Sequence, residues 1–186
     1  MEEKTCIQIR YSDSNTSEEL IYELMSVEAD AYSPEYRGEF ESIRQRFLKF
    51  KDMFILAYDG DKLIGYLCYF PISRSLHDEV LFNHIFHDDD IESNDVMAIG
   101  KRNYIYLISI CLIKAYQKKG IGQELMNAFL EKLKEYNSCG NTIVDVLAAV
   151  VTEAGEGIAK VNGMSEICDE TLKDYKLFVL SGDKLC

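Results

Sequence analysis

Residues 104–136 pass from an almost unbroken apolar run, through a glycine-rich polar turn, into a segment of helical periodicity, and the rest of the chain is organised around that order. The run Tyr104, Ile105, Tyr106, Leu107, Ile108, Ser109, Ile110, Cys111, Leu112, Ile113 is rich in β-branched residues and reads as a strand buried on both faces. A helix is expected to follow, because Ile121, Leu125, Met126, Phe129, Leu130, Leu133 and Tyr136 recur every three or four positions. Between them lie Gln117, Lys118, Lys119, Gly120, Ile121 and Gly122. Such a succession leaves free backbone N–H groups and the positive end of a helix dipole at one spot, which suits a phosphate or pyrophosphate. Glycine at 120 and 122 lets a ligand approach backbone that a β-carbon would hold off. A plain helix start, with permissive glycines and a solvated lysine pair, explains the same pattern without a ligand.

Composition narrows the partners. The 186 residues suit a single domain spanning 1–186, large enough to bury roughly two thirds of its unfolded surface. A net charge of −12 argues against nucleic acid, which demands a basic footprint, and favours cationic partners such as amines. Against that background Lys114, Lys118 and Lys119 form a small basic island. Residues 1–6 carry no apolar segment of secretory length and no run approaches a membrane span, so no membrane is expected and a cytoplasmic location follows by default. Cys6, Cys68, Cys111, Cys139, Cys168 and Cys186 are scattered without a C-x-x-C pair and read as reduced thiols.

Along the chain, residues 5–11 suggest a first strand. Thr16, Ser17, Glu18 and Glu19 have capping-box spacing ahead of a helix to about Tyr32. Ser33 and Pro34 predict a second helix start, with Tyr36, Phe40, Ile43, Phe47 and Phe50 as its apolar stripe. A hairpin follows over 53–70, turning at Asp59, Gly60 and Asp61 and stopped by Pro71. Residues 71–102 look like an insertion, with a short helix over 78–86 and an acidic run over 88–92; such a length shapes a lid or is simply solvated. After the organising helix, which Gly140 ends as C′, come a strand over 141–151, a short helix from Thr152 to Lys160, and closing strands over 164–168 and 175–180.

Several chemistries fit poorly. The turn lacks the third glycine of a dinucleotide fingerprint, and Asp145 stands near the start of the next strand where a ribose-binding acid belongs at the end. No P-loop or serine-hydrolase elbow occurs. His77, His84 and His87 near Asp88, Asp89 and Asp90 match no metal-ligand spacing, so no metal is expected. Cys111 in its apolar strand has no reason to form a thiolate.

Gln117, Gly120 and Gly122 satisfy the pattern Gln/Arg-x-x-Gly-x-Gly/Ala, with the right strand before and the right helix after. In this the chain resembles the GNAT superfamily of acyl-CoA-dependent N-acyltransferases, and the order of elements fits over nearly its whole length. The resemblance implies an α/β (α+β) fold with a mixed, mostly antiparallel central sheet of about seven strands flanked by helices. That sheet would splay between the fourth and fifth strands, and acetyl-CoA would be the co-substrate, with its pantetheine in the gap. Gln117, Lys118, Lys119, Gly120, Ile121 and Gly122 would hold the pyrophosphate. Backbone groups of Ile110, Cys111 and Leu112 would hold the pantetheine and polarise the thioester carbonyl, and Thr152 replaces an asparagine that commonly does so too.

Departures from the family pattern concern catalysis. Many members carry a tyrosine four residues before a Gly-Phe pair; here the pair is Gly163 and Met164, and Ala159 stands in that place. A glutamate that some members carry on the central strand is Tyr106 here. Tyr106, Ser109, Glu153 or Glu156 could handle the proton in their stead, though core packing or solvation accounts for each of them equally. The resemblance therefore implies acetyl transfer to the amine of a small molecule or peptide. A non-catalytic acyl-CoA-binding or sensing module is the alternative, and a pure interaction protein a weaker third. The sequence leaves the acceptor, the acyl length and a homodimeric assembly open.

Overall fold

The computed structural model describes residues 7–83, 97, 99–167 and 175–185. In chain order the described elements are β1 (Ile7–Tyr11), α1 (Glu19–Ala31), α2 (Phe40–Lys49), β2 (Phe54–Asp59), β3 (Lys62–Ile72), α3 (Arg74–Asn83), β4 (Arg102–Leu112), α4 (Ile121–Ser138), β5 (Thr142–Val150), α5 (Glu153–Val161), β6 (Ser165–Ile167) and β7 (Lys176–Ser181). The strands form one mixed, mostly antiparallel sheet in the order β1-β2-β3-β4-β5-β7-β6. β4 and β5 pair in parallel, whereas β1 with β2, β2 with β3, and β7 with both β5 and β6 pair antiparallel. The β4–β5 ladder begins at Arg102 and Thr142 and ends at Tyr106 and Leu147, although β4 continues to Leu112 and β5 to Val150. Among the described residues the two strands make no further pairs.

By its contacts the chain falls into two compact units, Met1–Cys68 with Ser109–Ala128, and Tyr69–Ile108 with Phe129–Cys186. In the first, the stripe Leu20, Ile21, Leu24 and Val27 of α1 is buried, as are Ile43 and Phe47 of α2. Phe47 meets the ring of Phe54 edge-on at 5.6 Å, and each such fully buried side chain contributes about 1.5–3 kcal/mol. Gly65 of β3 is required by space, since a β-carbon there would lie 2.6 Å from the Cys111 carbonyl oxygen and 2.2 Å from Leu112 Cδ2. In the second unit Tyr69 packs on Phe129 with ring centres 4.8 Å apart, and Val146, Leu147, Leu177 and Phe178 are buried along the β5–β7 pair. The end of α4 closes as expected: the Asn141 N–H bonds the Tyr136 carbonyl and the Gly140 N–H the Asn137 carbonyl, the paired bonds of a Schellman motif.

Four local expectations are corrected. The capping box at Thr16 does not form. Asp13 draws the Asn15 N–H and the Thr16 hydroxyl into a turn, and α1 starts at Glu19, whose N–H bonds Ser17 Oγ. Pro34 opens only a 3₁₀ turn, Pro34–Tyr36, and α2 waits until Phe40. The intervening chain is tied to α1, with the Arg37 guanidinium donating to the carbonyls of Tyr32 and Ala29 and the Gly38 N–H to Glu28. Pro71 does not stop β3, which runs to Ile72; the ladder to β2 already ends at Phe54 and Cys68, so β2 asks for no donor at Pro71. The insertion's helix runs over Arg74–Asn83 because Ser73 caps it, its hydroxyl accepting the Leu76 N–H at 3.1 Å. The acidic run 88–92, His84 and His87 lie outside the described residues.

Candidate functional site

The polar turn after β4 lies in the first unit and is shaped by its own side chains. Ser109, Ile110 and Leu112 are half-buried and Cys111 is buried. A 3₁₀ turn, Lys114–Tyr116, follows, and the Asp30 carboxylate accepts the Lys114 N–H at 2.5 Å. Gln117 then reaches back, its Nε2 donating to the Leu112 carbonyl at 2.9 Å. Lys118 has φ +60 and Gly120 φ +87, so the backbone enters the left-handed region twice within three residues before α4 starts at Ile121. For Gly120 that conformation is inexpensive, and a β-carbon there would project into open space.

Gln117 and Lys118 are the central residues of a hydrogen-bonded turn that engages the Lys119 amide, and among the described residues no acceptor is found for the amides of Lys118, Gly120, Ile121 or Gly122. Residues 117–120 are exposed. Lys119 Nζ sits 5.0 Å above the Tyr116 ring, and Tyr116 donates its hydroxyl to the Asp59 carboxylate at 2.5 Å. That bond to a carboxylate holds the Tyr116 proton and raises its pKa. The result is a set of backbone donors with two lysines beside it, at the positive end of a helix of eighteen residues.

Ser109 is in the same unit, and its Oγ lies 3.1 Å from the hydroxyl of Tyr32, which also donates to the Ile110 carbonyl at 3.1 Å. Tyr32 is the C-cap of α1. Burial first, then the neighbouring Cys111, pushes its phenol far above the ordinary value. Burial and the Glu28 carboxylate likewise push the Cys111 thiol up, so it stays protonated. Glu28 itself is buried, accepting the Gly38 N–H at 2.7 Å and the Tyr66 hydroxyl. Sequence reasoning missed Tyr32, Glu28 and Tyr66. Tyr32 and Ser109 stand 77 positions apart, and nothing local to either marks the pairing.

The remaining sequence candidates lie in the second unit. Tyr106 is buried at 3% exposure, whereas Glu153 is exposed at the first turn of α5. Thr152 caps that helix by accepting the Gly155 N–H at 3.1 Å. Glu156 is ion-paired with Lys176 at 2.8 Å and Lys160 at 3.3 Å, and Lys176 leads in holding its carboxyl below the usual range. Ala159 is buried. His77, the described member of the three histidines, is buried against Tyr104, with Nδ1 2.9 Å from Asp78 and Nε2 3.3 Å from Asp145. Among the described residues no three His, Cys, Asp or Glu side chains converge as metal ligands, and no helix is long and apolar enough to cross a membrane.

The model of the acetyltransferase (GNAT) family matches residues 19–153, most of the chain and the whole of the turn. The protein belongs to the GNAT family. Solved GNAT structures share its fold at low identity. The loading GNATL domain of CurA from Lyngbya majuscula aligns with a TM-score of 0.71 at 13% identity, over 96% of this chain and 98% of that one. The NatC complex bound to Gag peptide and CoA gives 0.62 at 14%, covering 94% and 98%. Mosquito arylalkylamine N-acetyltransferase like 5b gives 0.61 at 13%, covering 95% and 100%. No curated protein matches the chain. Acyl transfer is thus the class of chemistry its GNAT fold serves, and the fold takes CoA in the NatC structure.

Proposed function

We propose that this GNAT protein is an N-acetyltransferase that moves the acetyl group of acetyl-CoA to a primary amine of a small molecule or peptide, by direct attack in a ternary complex. The turn at Lys118–Gly122 carries the reading: four amides without acceptors among the described residues, a glycine whose β-carbon direction is open, and two lysines in a chain of net charge −12. These groups would hold the pyrophosphate, with Gln117 bracing the loop through Leu112. Backbone groups of Ile110, Cys111 and Leu112 would align the pantetheine, and an amide there would donate to the thioester carbonyl as negative charge develops on it. The donor supplies an activated acyl carbon, so the chain needs no nucleophile of its own. Tyr106, Ser109 and Glu153 are the side chains proposed to handle the proton. The family match runs through both units, which supports reading them as one acetyltransferase domain.

Purified protein incubated with acetyl-CoA and a broad amine panel should release free thiol only when an acceptor is present; acceptor-independent or absent release across the panel counts against the reading. Ala159, where many members have a tyrosine, favours a second reading in which the protein binds acyl-CoA without turning it over. Thermal stabilisation by acetyl-CoA, about 2.7 kcal/mol at a hundredfold excess over Kd, with no thiol release would select it.

A further inference from the structure

Resting on the acetyl-CoA reading, we infer that Asp59 and Tyr116 are positioning residues for the donor: the bond between their side chains holds the turn at Lys118–Gly122 in the shape that receives the pyrophosphate. Asp59 ends β2 on a rigid support, its backbone paired with Ile7 on one side and Lys62 on the other. Its carboxylate accepts the Tyr116 hydroxyl at 2.5 Å, across 57 positions of sequence. Tyr116 stands where two turns meet. It closes the 3₁₀ turn Lys114–Tyr116, its N–H bonding the Ile113 carbonyl at 2.9 Å, and it opens the hydrogen-bonded turn whose central residues are Gln117 and Lys118. Both residues lie in the first unit, with the turn they hold.

Lys118 is the reason an anchor is needed. A residue with a β-carbon keeps a φ of +60 only where its surroundings impose it. Residues 117–120 are exposed, so packing does little of this. Side-chain bonds do it instead, Gln117 to the Leu112 carbonyl and Tyr116 to Asp59. The two differ in reach. Gln117 braces the loop against the strand it has just left, whereas Tyr116 braces it against the β2–β3 hairpin. Asp59 adds no attraction of its own, since a carboxylate repels a pyrophosphate. Its part is to hold the phenol, and the bond in return raises the Tyr116 pKa and so keeps the proton that makes it. Without that bond Lys118 relaxes out of the left-handed region, and the amides of Lys118 and Gly120 turn with it.

The test compares CoA with pantetheine, which lacks the pyrophosphate, on the full chain and without an acceptor. Tyr116→Phe changes no charge at neutral pH and should weaken CoA about fivefold by calorimetry, the worth of one hydrogen bond. Pantetheine affinity, followed by NMR titration, should stay within about twofold, since the pantetheine groups lie apart from this bond. At position 59 the comparison holds charge constant. Asp59→Asn keeps an acceptor and Asp59→Ala removes it, so Asp59→Ala should bind CoA about fivefold more weakly than Asp59→Asn. Adding Tyr116→Phe to Asp59→Ala should cost nothing further, because both remove one bond. Equal CoA affinity in the wild type and Tyr116→Phe overturns the inference, as does a loss that multiplies in the double variant. Equal weakening of pantetheine makes the bond structural and overturns it too. Failure of wild-type protein to bind CoA at all is a different result, which sinks the acetyl-CoA reading itself.

Discussion

Two polar regions of the first unit handle their hydrogen bonds in opposite ways. In the turn at Lys118–Gly122 the amides of Lys118, Gly120, Ile121 and Gly122 have no acceptors among the described residues, and Lys118 and Gly120 are exposed. Around Glu28 the polar groups find one another: its carboxylate takes the Gly38 N–H and the Tyr66 hydroxyl, and Tyr32 serves Ser109 and Ile110. Unmade hydrogen bonds are affordable only where water or a ligand can complete them, and buried ones must be made within the protein. The first region is therefore built to receive something, and the second to hold a shape. Side-chain substitutions in the first should change ligand affinity with little effect on folding, apart from the backbone strain that any β-carbon brings at Gly120, and those in the second should do the reverse.

The largest expected effect is at Gly120. Gly120→Val forces a β-branched residue into the left-handed region and fills the open space beside the amides, and CoA affinity measured by calorimetry should fall about a hundredfold. Next comes Tyr66→Phe, which leaves the buried Glu28 carboxylate short of a donor. Chemical denaturation should show a loss of about 2 kcal/mol, and the melting temperature should fall by about 5 °C. If that variant instead weakened CoA while sparing stability, the division of labour would be wrong.

A pH series sharpens the buried side. Burial raises the folded-state pKa of Tyr32 above the ordinary tyrosine value of about 10, so the unfolded chain gives up this proton first. The resulting stability is fully present below about pH 10 and drains away as pH climbs towards the folded value. Wild-type protein should lose stability above pH 10 more steeply than Tyr32→Phe, by up to about 1.4 kcal/mol per pH unit. The smallest effect belongs to the exposed side. Lys118→Ala should weaken CoA only about threefold at low salt and less as ionic strength rises, because exposed charges are screened.

The same contrast explains what could be read from the residues in order. The turn is contiguous, so the glycine spacing, the apolar strand before it and the stripe of Ile121, Leu125, Met126, Phe129 and Leu133 after it were all legible, as was the Schellman end at Gly140. The Glu28 region is assembled from α1, the chain before α2, β3 and β4, and only tertiary contact reveals it. Polar side chains near helix ends misled for a related reason. Thr16 has the right spacing for a cap, yet Asp13 competes for its hydroxyl. Pro34 is a good first helical residue, yet Arg37 and Gly38 are tied to α1 and delay α2. The helix expected over 78–86 starts instead at Arg74, because the Ser73 hydroxyl takes the Leu76 N–H and sets its first turn.

The bond from Gln117 Nε2 to the Leu112 carbonyl has a thermodynamic implication. It closes the loop between the end of β4 and the left-handed residues, so the donors of the turn are preorganised before any ligand arrives. Little ordering entropy is then left to be lost on association, and what the amides gain from an anion is not spent on arranging themselves.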